Sequence, residues 1–440
     1  MIEALPQHWE VLPHWVAMLN AIGYEVEVAT DPGVAGHEQT LAQLKFRCRV
    51  HDVADIDART AAAFSFVVLN STVHEGYFYK RPPATRPNLP WLRSLDRPSI
   101  SVVHEPVHWV EKSVTASFLE FDGARSRILN LLGDGCFQYE HGFWSARKWS
   151  IVADTLSLPG QGRIRRFHTA DQGRTYSEVG APEGSTLVRR DLPDEDPANH
   201  VSDGRHAIVT LTESGAEHLK KAAGSVPWIL PLAIEPRAEN RAEGPISFAG
   251  LLDYDRKSLH SLLRDCHALG DGRTIEIIGG SLSSDFENDH FVQVFKGQLR
   301  EKNLESRFSF TGYLPYGEYL ARVRQARFLI PLVDDIVDSG SYLVKLPAAI
   351  SCSLGFGIPL IVNRDIAERF GMEYMICYAK DDLASGLMQE RQLTKTQYEA
   401  MLATLDRHAQ AIYRRNLDEL RRLVDRITRQ EGKRTDAAAQ

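Results

Sequence analysis

Cysteine is scarce in this sequence: five in 440 residues, at Cys48, Cys136, Cys266, Cys352 and Cys377, odd in number and far apart. No CxxC pair and no Cys/His zinc spacing occurs, so neither a disulfide framework nor a structural zinc site is encoded. The thiols read as small core residues in a reducing cytoplasm. Long hydrophobic runs are missing too. The longest, Phe328–Val333 and Ile358–Val362, have the length of buried strands and fall far short of the roughly 20 residues of a membrane span. Met1-Ile2-Glu3-Ala4-Leu5 carries neither a basic region nor an apolar stretch, so no signal peptide is expected. Nor does one sign of charge dominate, with 51 basic against 58 acidic residues and a net charge of -7. A protein whose main task was nucleic-acid binding would carry a basic excess. GxSxG, a P-loop and a GxGxxG after the first strand are all absent. Asp334-Asp335 fits a loop at least as well as a metal site, so no metal is expected.

What is present is a repeated strand–helix alternation. Leu12, Trp15, Val16, Leu19 and Ile22 recur at helical spacing, Gly23 stops that helix, and Tyr24–Thr30 alternates as a strand. Phe64–Leu69, Ser99–Val103 and Ala207–Leu211 are short apolar runs that end in polar residues. Val226–Leu232 reads as a further buried strand, broken by prolines. After a charged, proline-flanked linker near 235–244 the pattern restarts. Strands are expected at Ile246–Ala249, Thr274–Ile278, Phe308–Thr311, Phe328–Leu332 and Ile358–Val362. Helices are expected at Arg256–Leu269, Phe291–Lys302, Tyr316–Ala326, Pro347–Phe356 and Ile366–Phe370. Thr394–Gln430 reads as helix with i,i+4 charge pairs, and the last ten residues as frayed. Strands alternating with helices imply mainly parallel sheets. The expected fold class is therefore α/β, with two Rossmann-like domains facing a cleft. The expected boundaries are 1–236 with an irregular insertion at about 158–205, 245–395, and C-terminal helices at 396–440.

Ligands of open α/β sheets sit at the carboxyl ends of the strands, and the candidate residues fall there. Asp338-Ser339-Gly340-Ser341 through Lys345 and Pro347 leads into a helix start, whose free N–H groups and dipole favour an anion such as a diphosphate. An ordinary strand-to-helix loop explains the same residues. Arg256-Lys257, after the strand ending at Gly250, pairs two cations at a helix start. That is unfavourable for the dipole unless a phosphate lies opposite, although Asp253 and Asp255 offset part of the charge. Gly279-Gly280 lets a ligand approach the backbone closely, as any glycine turn would. His104-Glu105 follows the Ser99–Val103 strand and suits hydroxyl recognition or leaving-group orientation. A capping histidine is the plainer alternative. Asn70, Ser71, Thr72, His74 and Glu75 occupy an equivalent strand-end loop, with Glu213 in a third. The arginine groups Arg163, Arg165 and Arg166, and Arg414, Arg415, Arg421 and Arg422, suit either solvated faces or peripheral contact with anionic lipid.

Four segments in order resemble the donor half of retaining GT-B glycosyltransferases (the family 4-like, group 1 enzymes). They are Ile246–Gly250 through Arg256-Lys257; Ile275–Gly280; Phe310-Thr-Gly312-Tyr313-Leu-Pro-Tyr316 with Tyr319–Ala326; and Lys345–Ile361 ending in Gly357-Ile-Pro359-Leu-Ile361. The resemblance implies a hexosyltransferase-type enzyme with a nucleoside-diphosphate sugar as co-substrate, UDP- or GDP-linked, and no other cofactor. It implies that Arg256, Lys257, Ser339, Gly340, Ser341 and Lys345 hold the diphosphate. Gly279, Gly280, Gly312, Tyr313 and Leu314 would serve the base and ribose, with His104 and Glu105 catalytic. Asn70, Ser71, His74 and Glu75 would line the acceptor side, and the C-terminal helices would cross back to the first half. The acceptor is left open among a saccharide, a lipid-linked glycan, a small molecule and a protein. Such enzymes commonly carry two glutamates flanking the last donor-domain helix. Here no Glu lies between 319 and 367, and the second position falls near Cys352. A non-catalytic binding or scaffold protein and a nucleotide-sugar epimerase are the alternatives on the same scaffold.

Overall fold

The structure is a computed structural model. It describes residues 1–3, 11–30, 44–45, 47–70, 97–104, 106, 206–233, 241–252, 257–270, 272–281, 285–333 and 344–438, with side chains to 429. Between 116 and 192 it describes strands as backbone alone.

The first half contains β1 (Ile2–Glu3), α1 (Leu12–Ala21), β2 (Glu27–Thr30), β3 (Arg49–Asp52), α2 (Ala58–Ala61), β4 (Val67–Leu69) and β5 (Ser99–Val103). After eight further strands come β14 (His206–Thr210) and α3 (Glu213–Ala223). β14, β5, β4, β1, β2 and β3 form one sheet in that order, every neighbour parallel. Counted along the chain this is the order 3-2-1-4-5-6, which reverses between β1 and β4. α1 forms because Leu12, Trp15, Val16 and Leu19 make one apolar stripe. All four are buried, against Val28, Ile100 and Val209 of the sheet.

The second half repeats the plan with β15 (Ile246–Leu251), α4 (Leu259–Asp265), β16 (Ile275–Gly280), α5 (His290–Glu301), β17 (Phe308–Phe310), α6 (Tyr316–Val323) and β18 (Phe328–Leu329). α7 (Ala348–Phe356), β19 (Ile361–Asn363), α8 (Arg364–Arg369), β20 (Ile376–Tyr378) and α9 (Leu383–Gln392) follow. The sheet order β17-β16-β15-β18 continues into the pair β19-β20 through a parallel bridge, Leu329 to Leu360. The order is again 3-2-1-4-5-6, reversing between β15 and β18.

One 44-residue helix, α10 (Lys395–Ala438), closes the chain. Its buried residues form one stripe that joins three cores in turn. Tyr398 packs with β15–β17, Leu405, Ala409 and Ile412 with α7 and β19, and Leu420, Leu423, Val424 and Ile427 with α1 and the first sheet. Asn416 in the middle of this stripe is fully buried and donates to the Leu230 carbonyl at 2.7 Å. The segment leaving the first half lies directly on α7. Ala233 N donates to Ser351 O at 3.2 Å, and Ser351 Oγ donates to Pro231 O at 2.7 Å.

Four expectations are corrected. β6 (Ala116–Phe121), β7 (Ala124–Asn130), β8 (Cys136–His141), β9 (Trp144–Val152), β10 (Thr155–Gly160), β11 (Arg163–His168), β12 (Thr175–Glu178) and β13 (Thr186–Leu192) form a closed antiparallel barrel. Each pairs with its chain neighbour and β13 closes on β6. Regular strands thus begin at 116 and run through most of the segment expected to be irregular at 158–205. The glycines there lie largely between strands, as Gln161-Gly162 does between β10 and β11. The barrel lies within the connection between the parallel neighbours β5 and β14. Second, Val226–Leu232 forms a single parallel bridge, Trp228 to Thr210, because its prolines cannot donate to a ladder. Third, the helix expected over Arg256–Leu269 starts only at Leu259 and tightens to a 3₁₀ turn at Cys266–Ala268. Fourth, Pro347 is the residue before α7 and not its first turn.

Candidate functional site

In doubly wound sheets the crevice lies where the strand order reverses, at the carboxyl ends. In the second sheet that point falls between Leu251 of β15 and Leu329 of β18. Lys257 spans it. Its Nζ donates to the Pro331 carbonyl, just past β18, at 3.1 Å, and the next residue, Ser258, donates its N–H to Leu332 O at 2.9 Å. The chain leaving β15 is thereby stitched to the chain leaving β18, with the ammonium of Lys257 half-buried at the seam.

Next to it on the same edge stand Gly279 and Gly280, with φ of +83° and +96°. The left-handed backbone there favours glycine. The ring of Tyr319 lies 3.5 Å from the place a Gly279 side chain would take, and that of Phe286 3.2 Å from the place a Gly280 side chain would take. Thr311 ties this turn to the following one. It accepts the Gly279 N–H at 3.2 Å on Oγ1, and its own N–H donates to Ile277 O at 3.1 Å. Gly312, Tyr313 and Leu314 follow at once, Tyr313 packed on the β15–β17 core and Leu314 on the α7–β19 core. The structure therefore brings Lys257, Gly279, Gly280 and Gly312–Leu314 to one edge. Thr311 and Tyr319 were not singled out from the sequence. The run Phe310-Thr-Gly312 was the signal for Thr311, since a hydroxyl before a glycine turn is well placed to hold the neighbouring backbone.

In the first sheet the reversal falls between β1 and β4. Asn70, the residue after β4, donates its N–H to Ile2 O at 2.9 Å. His104, the residue after β5, is buried, and its Nε2 lies 2.6 Å from the Asn70 carbonyl. A carbonyl only accepts, so Nε2 carries the proton of that bond. The two residues that the sequence assigned to different loops are thus direct partners.

Lys345 lies on the segment that joins the edges. Val344 before it is buried, and its carbonyl accepts from Thr212 Oγ1 at 2.6 Å. Thr212 follows β14 and caps α3, accepting the Gly215 N–H at 3.0 Å. Leu346 after it packs on both the α7–β19 core and the α1 core. Lys345 itself is half-buried.

Glu105, Arg256, Ser339, Gly340, Ser341, Ser71, His74 and Glu75 lie outside the described residues. Of the C-terminal arginines, Arg415 is turned inward. Its guanidinium lies 3.0 Å from the centroid of the Trp228 ring, and burial lowers its pKa to about 10. Arg421 and Arg422 pair with Asp418 and Glu419. No helix among the described residues is long and apolar enough to cross a membrane. A cavity of about 180 Å³ opens at the starts of β1, β2 and β4, lined by Met1, Val26, Glu27, His51 and Phe66 among others. None of the candidate residues is in its wall, so they are located by topology and not by cavity shape.

No family model and no curated protein matches the chain. Among solved structures, HepE of Anabaena in complex with UDP aligns over 99% of this chain and 98% of its own, at 11% identity and a TM-score of 0.50. The same protein in complex with UDP-glucose aligns over 98% of each chain, at 11% identity and a TM-score of 0.50. Sucrose-phosphate synthase of Thermosynechococcus elongatus aligns over 96% of this chain and 92% of its own, at 14% identity and a TM-score of 0.47. With two 3-2-1-4-5-6 sheets and a C-terminal helix packed on both, the chain has the GT-B fold of the glycosyltransferases.

Proposed function

We propose that the chain transfers a sugar from a nucleoside-diphosphate sugar to an acceptor hydroxyl. The observation that carries this is Lys257 at the switch point of the second sheet, beside the Gly279-Gly280 turn. That is a cation and a glycine turn at the edge where such a sheet takes a phosphorylated ligand. The complexes of HepE with UDP and UDP-glucose support UDP as the carrier. In this reading residues 1–236 form the acceptor side, 245–395 bind the donor, and 396–440 link the two across a cleft. The cytoplasm is the proposed setting.

The bond from the anomeric carbon to the diphosphate breaks, its electron pair leaves on the phosphate oxygen, and the acceptor oxygen forms the new bond. Lys257, Lys345, Arg256 and the Ser339–Ser341 loop would stabilise the growing negative charge, an interaction stronger in the transition state than in the bound donor. We infer retention at the anomeric carbon, with the leaving phosphate taking the acceptor proton, and charge stabilisation by side chains without a metal. His104, its Nε2 held by the Asn70 carbonyl, would orient the sugar, and Glu105 would stand beside it. Asn70, Ser71, His74 and Glu75 would meet the acceptor.

The test is release of nucleoside diphosphate from UDP- and GDP-sugars, with and without simple saccharide acceptors, by wild type and by Lys257→Ala and Lys345→Ala. Each substitution is expected to lower turnover about tenfold, equivalent to about 1.4 kcal/mol of transition-state stabilisation. Unchanged kinetics in both would overturn the assignment. The lack of any Glu between 319 and 367 favours a second reading, a non-catalytic protein that binds the nucleotide sugar. Tight donor binding without turnover would select it.

A further inference from the structure

The bond from Thr212 to Val344 joins residues 132 positions apart, one on the carboxyl edge of each sheet's half. It is buried and short, at 2.6 Å, and the Thr212 oxygen also accepts the Gly215 N–H. Its surroundings leave no slack. A side chain on Gly215 would lie 2.9 Å from Thr212 Oγ1, 2.9 Å from Thr210 Oγ1 and 3.1 Å from Pro106. Two residues on, Leu346 is wedged against the cores of both halves. Lys345 is therefore fixed from both sides, by a hydrogen bond at 344 and by packing at 346.

We infer that Thr212 is a positioning residue for donor binding, holding the Lys345 backbone in place from the opposite half. The inference rests on the donor role of Lys345 proposed above. The chain pays an entropic penalty to order a residue. With the tether present, that ordering is complete before the donor arrives; without it, part of the ordering is charged to binding. Loss of the tether is expected to weaken nucleoside-diphosphate binding about tenfold, or about 1.4 kcal/mol, and to leave the chemistry of a saturated site much less affected.

The hydroxyl has two roles, and three substitutions separate them. Thr212→Ser keeps a donor for Val344 and an acceptor for the cap. Thr212→Asp keeps the cap, for which aspartate is well suited, but cannot donate to the carbonyl. Thr212→Val keeps the shape and does neither. Full-length wild type and variants are compared by calorimetric titration with UDP and GDP and by melting temperature, and by KM and kcat where turnover is found. The expected result is wild-type affinity for Ser and about tenfold weaker binding for both Asp and Val, with Asp melting above Val. Where turnover is found, KM for the donor rises more than kcat falls. Affinity that follows melting temperature, or an Asp variant that binds as tightly as wild type, would overturn the inference while leaving the donor site standing. Wild type that binds neither nucleotide would remove the donor reading, and this inference with it.

Discussion

Gly355 in α7 is where the two halves touch backbone to backbone. A side chain there would overlap Ala233, reaching 2.7 Å from its carbonyl carbon and closer still to its oxygen and nitrogen. The obstructing atoms are main chain, so no rotamer change relieves the clash. In Gly355→Ala the chain at 231–233 must lift off α7. That breaks the bonds from Ala233 N to Ser351 O and from Ser351 Oγ to Pro231 O, at about 1 kcal/mol each. Overpacking adds about 1–3 kcal/mol, and the better helix propensity of alanine returns about 1 kcal/mol. The net loss is about 2–4 kcal/mol. Denaturant unfolding followed by circular dichroism should show a lower midpoint. A midpoint equal to or above that of wild type would refute the packing argument, because propensity alone would then govern the site.

His14 is buried between α1 and α10, and burial lowers its pKa to about 3, below the ordinary value of 6.5. Its depressed folded-state value means that the unfolded chain binds the extra proton first, so stability falls as pH drops below about 6.5. By pH 5 this amounts to about 2 kcal/mol. Stability against pH for wild type and His14→Leu should therefore diverge on the acid side, and parallel curves would contradict it. Glu276 is buried near the start of β16 and bonded by Arg322, with Nε to Oε1 at 2.7 Å. Arg322→Ala should destabilise by about 3 kcal/mol, since it strands a buried carboxylate, and Arg322→Ala with Glu276→Gln should recover part of the loss in the same unfolding assay. His104→Ala removes the partner of Asn70 and should lower turnover with a smaller effect on donor KM. The reverse pattern would move His104 from the sugar to the donor carrier.

Much of the fold was legible because its strands are short apolar runs closed by polar residues, as at Ser99–Val103 and Ile275–Gly280. Long helices announced themselves by stripe, as in α1 and α10. β1 was not legible, since two residues show no period, and its place at the centre of the first sheet is fixed by partners far along the chain. The barrel was hidden for another reason. Its strands mix apolar and polar residues without strict alternation, four of them carrying arginines, so no period of two marks them out in the sequence. Asp122-Gly123, between β6 and β7, was the strongest local hint of a hairpin. At the candidate site, Lys257 and the Gly279-Gly280 turn could be read from residue type and position. The Lys257–Pro331, His104–Asn70 and Thr212–Val344 contacts could not, because each joins residues 34 to 132 positions apart.

The most direct measurement of the central claim is a thermal-shift series with UDP, GDP, ADP, CDP and dTDP on wild type, Lys257→Ala and Lys345→Ala. A nucleotide held at about 100 times its dissociation constant adds about 2.7 kcal/mol of stability, enough to raise the melting temperature visibly. The expected result is a rise with one nucleotide in wild type, much reduced in both variants. No rise with any nucleotide in well-folded wild type, or a rise that both variants retain in full, would contradict a diphosphate site at the switch point of the second sheet.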